Sequence, residues 1–360
     1  MKIMTVLGTR PEIIRLSVII EVLDGLVDHV LVHTDQNDDP ALSQRFFDEL
    51  AVRQPDHHLG VSGTGRGRRI GQVLQGVDEL LDRVRPDRLL VLGDTDSALA
   101  AFIAKRAGIP VIHLEAGNRC FDDRVPEEVN RRVIDQCSDL LLPYTARSRE
   151  HLLREGMHPS RVMVIGNPIN EVMIRHRARR DSSDIHARLG TTPGQYVIVT
   201  AHRQENVDDP ERLRSIGNSL ELVASELGVP AVVSVHPRTR DRLERLGVRW
   251  DTDRVRTCPP LGFHDFVRLE QDARLAITDS GTVQEECCIL GVPAVTIRDT
   301  TERPETVECG SNVVAGVEPA AVLAAATVQF DRTTWEVPVE YLATSVSATV
   351  GALATAPLPV

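Results

Sequence analysis

The sequence predicts an α/β protein built from two doubly wound parallel-sheet lobes, and three observations predict it. The length, 360 residues and 39.7 kDa, exceeds what one ordinary core organises and divides naturally into two domains. Short β-rich runs alternate with helical patterns from end to end, at a spacing suited to βαβ units. The runs VLVH, LLVLGD and PVIHLEAG are apolar with little polar alternation, as strands buried on both faces of a parallel sheet require.

Taken in order, strands are expected at 5–7, 29–33, 88–92, 111–114, 139–142 and 162–165. The pattern resets around Asn167, Pro168 and Ile169, which puts a first Rossmann-like lobe at 1–169 and a second at 170–336. After a polar helical stretch from Arg175 to Arg188, a second series of strands begins at QYVIVTAH. It continues through PAVVSVH, Arg254 to Cys258, ARLAITDS and VPAVTI, repeating the architecture without repeating the sequence. Val337 to Leu353 reads as a final helix, and 337–360 is expected to pack back on the first lobe. The segment VSGTGRGRR, 61–69, is expected to be a mobile loop because of its three glycines.

Composition narrows the function. With 42% apolar and 26% charged residues the chain can bury sizeable cores. A net charge of −11 makes a polyphosphate backbone an unfavourable partner, so nucleic acid is not expected. Met1 leads directly into KIMTVLG, with no cationic leader or long apolar span, so a cytoplasmic protein without a membrane segment is expected. Six cysteines, Cys120, Cys137, Cys258, Cys287, Cys288 and Cys309, show no C-x-x-C spacing and read as reduced thiols, with Cys287 and Cys288 as core filler.

In open α/β sheets ligands lie beyond the carboxyl ends of the strands, and two such lobes facing each other are expected to form an inter-lobe cleft. Residues just after each strand are therefore the candidates. The first strand ends in Gly8-Thr9-Arg10-Pro11-Glu12, where Pro11 suits a first helical turn and Arg10 hangs beside free N–H groups, a place for an anion or simply a helix start. Asp94 follows a wholly apolar run, either as an exposed carboxylate or as a helix cap. Glu115 directly follows another buried strand and must be solvated, paired or used. Glu127 and Glu128 open a helix and suit its dipole. In the second lobe, His202 and His236 stand at strand ends. Ser280 and Gly281 make a small turn at a helix N-terminus that suits a diphosphate, and the carboxylate that follows suits ribose hydroxyls; together they suggest a nucleotide sugar. No G-x-G-x-x-G follows the first strand, no P-loop exists, and no His spacing supports a metal site.

Together the segments GTRPEII, GDTDSALA, HLEAG, RVPEEVNR, TAHRQEN, TDSGTVQEE and RDTTERPE resemble the non-hydrolysing UDP-N-acetylglucosamine 2-epimerase family, in family order over residues 8 to about 308. The resemblance implies two lobes of the GT-B type, no cofactor, a UDP-sugar substrate and a homodimer. It implies UDP contacts at Arg10, His236, Ser280, Gly281, Thr282 and Glu286, with Glu286 on the ribose, and a diphosphate or sugar contact at Arg131. The catalytic group it implies is Asp94, Glu115, Glu127 and His202. Three departures stand out. His33-Thr34-Asp35-Gln36-Asn37 replaces H-T-G-Q-H, a segment tied in bacterial members to an activating second UDP-N-acetylglucosamine, so allosteric activation is not expected. Thr282 stands where another Gly is frequent. EAGNRCFDDRVPEE resembles a subgroup acting on modified substrates such as 2,3-diacetamido uronates or 6-deoxy N-acetylhexosamines.

The implied reaction inverts C2 by anti elimination of UDP to a glycal, followed by re-addition with protonation from the other face. Which carboxylate is base and which is acid stays open. The rivals are a GT-B glycosyltransferase, which does not need so many acids in the first lobe, a hydrolysing epimerase, which would release free sugar, and a catalytically silent nucleotide-sugar sensor, which keeping all four catalytic positions disfavours.

Overall fold

The computed structural model describes residues 1–36, 40–63 and 65–358. It separates into two compact units, one of Met1–Ile174 with Val339–Val360, the other of Arg175–Pro338.

The first unit holds β1 (Lys2–Leu7), β2 (Asp28–His33), β3 (His57–His58), β4 (Arg88–Leu92), β5 (Val111–Leu114) and β6 (Leu140–Leu142). They form one sheet in the order β3-β2-β1-β4-β5-β6, and every registered pair is parallel. β4 and β5 are buried at every position, which is why their sequences lack alternation. The second unit holds β7 (Val197–Thr200), β8 (Ala231–Ser234), β9 (Val255–Cys258), β10 (Leu275–Thr278), β11 (Ala294–Thr296) and β12 (Asn312–Val314). Its order, β12-β11-β10-β7-β8-β9, is the same winding repeated, with parallel pairs throughout. Each sheet therefore has a switch point where the winding reverses, between β1 and β4 in one and between β7 and β10 in the other, and a ligand is expected at the carboxyl ends there.

Several expectations need correction. Residues 162–165 are not a strand: only Val162 bridges to Leu141, and Met163 N and Ile165 N donate to the carbonyls of Leu141 and Pro143. The turn at Gly166, with φ 84°, ends that one-sided pairing. Residues 337–353 are not one helix. A 3₁₀ turn (Val339–Leu342) is followed by a break and then the helix Val346–Thr355. The break is set by the 166–170 segment, because Asn167 N donates to Glu340 O at 2.8 Å and Asn170 Nδ2 to Ala343 O at 3.3 Å. Helix Val346–Thr355 lies on helix Arg10–Leu26 so closely that a Cβ on Gly351 would stand 2.8 Å from Val22 Cγ1. The expected glycine-rich loop ends early, since Arg66–Val84 is helical and takes in Gly67; Thr64 lies outside the described residues. Among the described residues no helix is long and apolar enough to cross a membrane.

Candidate functional site

In the first unit the switch-point turn after β1 leads into the helix Arg10–Leu26, with Pro11 in its first turn. Glu12, buried in that turn, accepts from Gly8 N at 2.9 Å, Thr9 N at 2.7 Å and Thr9 Oγ1 at 2.8 Å on one oxygen, and from Thr95 Oγ1 at 2.8 Å on the other. It thereby ties the β1 turn to the β4 turn. Burial pushes its carboxyl up to about 7, against the pull of these four donors. Arg10 begins the helix and its guanidinium stands 5.8 Å from the Phe46 ring.

The acids expected to act are each held. Asp94, next to the β4 terminus, receives Arg131 Nε at 3.2 Å and Nη2 at 2.5 Å on one oxygen, and its carbonyl accepts Asn130 Nδ2 at 3.0 Å. Glu115, next to the β5 terminus, is 6% exposed and has a left-handed backbone (φ 67°). It pairs with Arg15 through Oε2 and accepts Asn118 Nδ2 at 3.1 Å through Oε1. Because β4 and β5 are neighbours in register (Leu92 with Leu114), Asp94 and Glu115 follow adjacent strand ends. Glu127 is half-buried in the first turn of the helix Pro126–Cys137. Glu128 beside it is wholly buried and does structural service, accepting Cys120 N at 3.0 Å and Phe121 N at 3.1 Å and pairing with Arg131 at 2.6 Å. Burial alone would raise its carboxyl, but these donors and the Arg131 charge hold it below the usual range. Deeper still, Asp135 joins His113 at 2.8 Å and Arg119 at 2.7 Å, and His113 Nε2 reaches Gly93 O at 2.8 Å. This network fixes the backbone from which Asp94 and Glu115 project.

In the substituted segment after β2, Asp35 takes φ 61°, a conformation that glycine adopts without strain. Its carboxylate lies 2.7 Å from His33 Nδ1 and 2.8 Å from His58 Nδ1 and accepts Gly60 N at 3.0 Å. Burial raises its pKa, but these contacts prevail and hold it low. Asn37 of that segment lies outside the described residues.

The second unit repeats the logic at its own switch point. Asp279, buried after β10, accepts His202 N and Arg203 N, both at 2.9 Å, and Asn206 Nδ2 at 3.1 Å. Burial raises its pKa against those donors. His202 is thus anchored through its backbone, with Nδ1 3.3 Å from Asp279 Oδ1, and its ring centroid is 5.6 Å from that of His236. His236 caps the helix Pro237–Leu246, accepting Arg238 N at 3.2 Å. Ser280 precedes the helix Gly281–Leu290, whose first turn carries Gly281 and Thr282 and no acid, so its dipole favours an anion. Glu286 is buried on the same helix. At Gly281 a Cβ would stand 2.7 Å from Glu302 Oε1, so only glycine lets that carboxylate approach. Glu302 is held by Arg298 at 2.7 Å and Arg203 at 3.2 Å, and Arg303 pairs with Glu285 at 2.5 Å.

Within the first unit the structure brings Arg10, Asp94, Glu115, Glu127 and Arg131 to the tips of β1, β4 and β5 or to the helices that follow. In the second it brings His202, His236, Ser280, Gly281, Thr282 and Glu286 to the tips of β7, β8 and β10 or to the helices that follow. The charged run Arg298–Glu305, which reads in the sequence as either a solvated loop or a gated site, places Glu302 and Arg303 here, whereas nothing in the sequence singles out Arg15 or Asp279 as site residues. Arg15 announces itself only as a cation amid Ile13, Ile14 and Leu16, and Asp279 as an acid directly after an apolar strand.

A sequence profile of the family described as UDP-N-acetylglucosamine 2-epimerase matches residues 23–341. The chain is 36% identical over 340 residues to a UDP-N-acetylglucosamine 2-epimerase of Methanocaldococcus jannaschii, covering 92% of this chain and 93% of that protein. It is 35% identical over 342 residues to a UDP-2,3-diacetamido-2,3-dideoxy-D-glucuronate 2-epimerase of Pseudomonas aeruginosa, again covering 92% and 93%. The crystal structure of the Methanocaldococcus jannaschii UDP-GlcNAc 2-epimerase in complex with UDP-GlcNAc and UDP superposes with a TM-score of 0.94 at 34% identity, over 99% of each chain. With its length matched almost throughout and its motif residues gathered at two switch points, the chain belongs to the UDP-N-acetylglucosamine 2-epimerase family of isomerases.

Proposed function

We propose that the protein inverts C2 of a UDP-2-acetamido sugar without hydrolysis. The observation that carries this reading is the pairing of two chemistries on one chain of this family. One unit offers carboxylates at adjacent strand tips, and the other offers an acid-free helix N-terminus beside a buried carboxylate. In the forward direction a base takes the C2 proton while the C1–oxygen bond breaks, its electron pair leaving on the β-phosphate oxygen of UDP. A C1=C2 glycal remains. In the return, one of the now equivalent terminal β-phosphate oxygens re-forms the bond to C1 and a proton reaches C2 from the opposite face.

Each residue then has a task. Ser280, Gly281 and Thr282 receive the diphosphate, where N–H groups and dipole stabilise the negative charge that grows on the leaving oxygen. Glu286 takes the ribose hydroxyls, and Arg10, His236 and Arg131 add polar or cationic contacts to UDP or the sugar. Asp94, Glu115, Glu127 and His202 divide the proton transfers, a division that requires acid and base to differ in proton affinity at the moment of reaction. Arg131 and Arg15 orient Asp94 and Glu115 respectively. The substrate is UDP-N-acetylglucosamine, its C2 epimer or a modified derivative such as a 2,3-diacetamido uronate, and the diacetamido-uronate relative supports keeping the last in the range. The products supply surface polysaccharide or secondary-metabolite pathways with sugar. The working protein is a cytoplasmic homodimer in this reading, and the exposed apolar residues Phe102, Val129 and Val133 of the first unit support the self-association.

The test is a panel of UDP-sugars incubated in deuterated water, with C2 configuration and isotope content read by NMR. Inversion with deuterium at C2 of a sugar still bound to UDP is expected for one member of the panel. Release of UDP that depends on an acceptor, without exchange at C2, would replace this reading with a glycosyltransferase. Free sugar as the main product would replace it with a hydrolysing epimerase.

A further inference from the structure

Two of the six thiols meet. Cys288 is buried in the last turns of the helix Gly281–Leu290, Cys309 is half-buried just after the helix Pro304–Glu308, and their Sγ atoms are 3.7 Å apart. Cys309 Sγ also lies 3.4 Å from both Thr306 O and Ser311 Oγ, and the Arg332 guanidinium packs on the next residue, Gly310. We propose that Cys288 and Cys309 form a redox modification site that peroxide closes to an intramolecular disulfide. The unmodified contact needs about 1.7 Å of closure to reach a disulfide bond length, a distance that χ1 rotation and small helix shifts supply.

The polarity of the pair supports the order of events. The Cys288 hydrogen bond favours thiolate at Cys309, and burial opposes it, while Ser311 and Arg332 assist; the Cys288 thiol is held protonated by the same contact. The half-buried Cys309 thiolate attacks one oxygen of the peroxide, the O–O bond breaks, and sulfenic acid and hydroxide result. Cys288 then attacks the sulfenic sulfur, hydroxide leaves, and the two hydroxides become water by taking the Cys288 proton and the proton that Cys309 gave up on ionising. The sum is two thiols and one peroxide giving one disulfide and two waters.

The consequence rests on reading the helix Gly281–Leu290 as the diphosphate helix. Cys288 is on that helix. The segment ending at Cys309 starts at Arg303, whose guanidinium holds Glu285 at 2.5 Å, one residue from Glu286. Closing the disulfide draws this segment against the helix and disturbs the UDP grip.

Intact protein is treated with hydrogen peroxide and compared with protein reduced by dithiothreitol, alongside Cys309→Ser and Cys288→Ala. The mass under denaturing conditions is expected to fall by two hydrogens, with a cross-linked peptide joining the segments of Cys288 and Cys309, absent in both variants. The UDP dissociation constant by calorimetry is expected to rise by about fivefold and to return on reduction. Oxygen addition without the cross-link, or a cross-link that persists in Cys309→Ser, overturns the thiol pair. An unchanged UDP affinity in fully cross-linked protein overturns its coupling to the site. If the reduced protein binds no UDP at all, the functional reading fails while the mass measurement still decides the thiol chemistry.

Discussion

The Arg15–Glu115 pair gives the sharpest stability prediction. Both side chains are almost fully buried, at 4% and 5% exposure, and joined through Arg15 Nη1 and Glu115 Oε2. Removing one partner of a buried ion pair leaves the other charge out of water and costs about 3–5 kcal/mol. Asn118 still serves the other oxygen of Glu115, which puts Arg15→Met at the lower end, about 3 kcal/mol. In a folding unit the size of Met1–Ile174 with Val339–Val360, each kcal/mol moves the melting temperature by about 2–4 °C, so a fall of about 6–12 °C is expected. Glu115→Gln should cost less, because the amide still accepts one hydrogen bond. The double variant removes both charges, so calorimetric unfolding of the four proteins should show a coupling of about 2 kcal/mol, the double variant being more stable than the sum of the singles. Single effects that add to within about 0.5 kcal/mol would refute the claim that these groups are a mutually dependent buried pair.

Glu12, raised from 4.5 to about 7 by burial, binds its proton more tightly folded than unfolded, so its contribution favours low pH and is lost as pH rises through 7. Relative to Glu12→Gln, wild-type stability should fall by about 2–3 kcal/mol between pH 5 and pH 8 in denaturant titrations; parallel pH profiles would contradict this. Gly281→Ala pushes a Cβ to 2.7 Å from Glu302 Oε1 and should destabilise the second unit by about 1–3 kcal/mol, seen as a lowered denaturant midpoint. Asp94→Asn and Glu127→Gln should each lower kcat by about 10²–10⁴-fold. Their UDP affinity, measured by calorimetry, should stay within a few-fold of wild type, whereas Ser280→Ala should weaken UDP more than it lowers kcat.

Much of this was legible because parallel sheets leave a strong mark. Strands buried on both faces, such as RLLVL and AVVS, announce themselves, and the polar residues just after them, Asp94, Glu115, His202 and Ser280, stand out against apolar runs. What stayed hidden depends on tertiary partners. β3 is two residues, His57–His58, with no apolar pattern of its own. The break before Val346 is imposed by carbonyls meeting Asn167 and Asn170, 170 or more residues earlier in the chain, and no local propensity encodes that. Glu128 and Glu127 are adjacent acids in one helical turn, and only the fold reveals that Glu128 faces inward to Cys120, Phe121 and Arg131. Arg15 looks like a surface position on a helix until its partner 100 residues away is known.

In the elimination route the C1–oxygen bond breaks and re-forms while the sugar and UDP stay bound to the protein. UDP-N-acetylhexosamine carrying ¹⁸O in the oxygen that bridges C1 and the β-phosphorus tests it directly. As C2 inverts, the label is expected to spread to non-bridging β-phosphate positions in recovered UDP-sugar, with no free sugar formed. Inversion with the label still entirely in the bridge would contradict it.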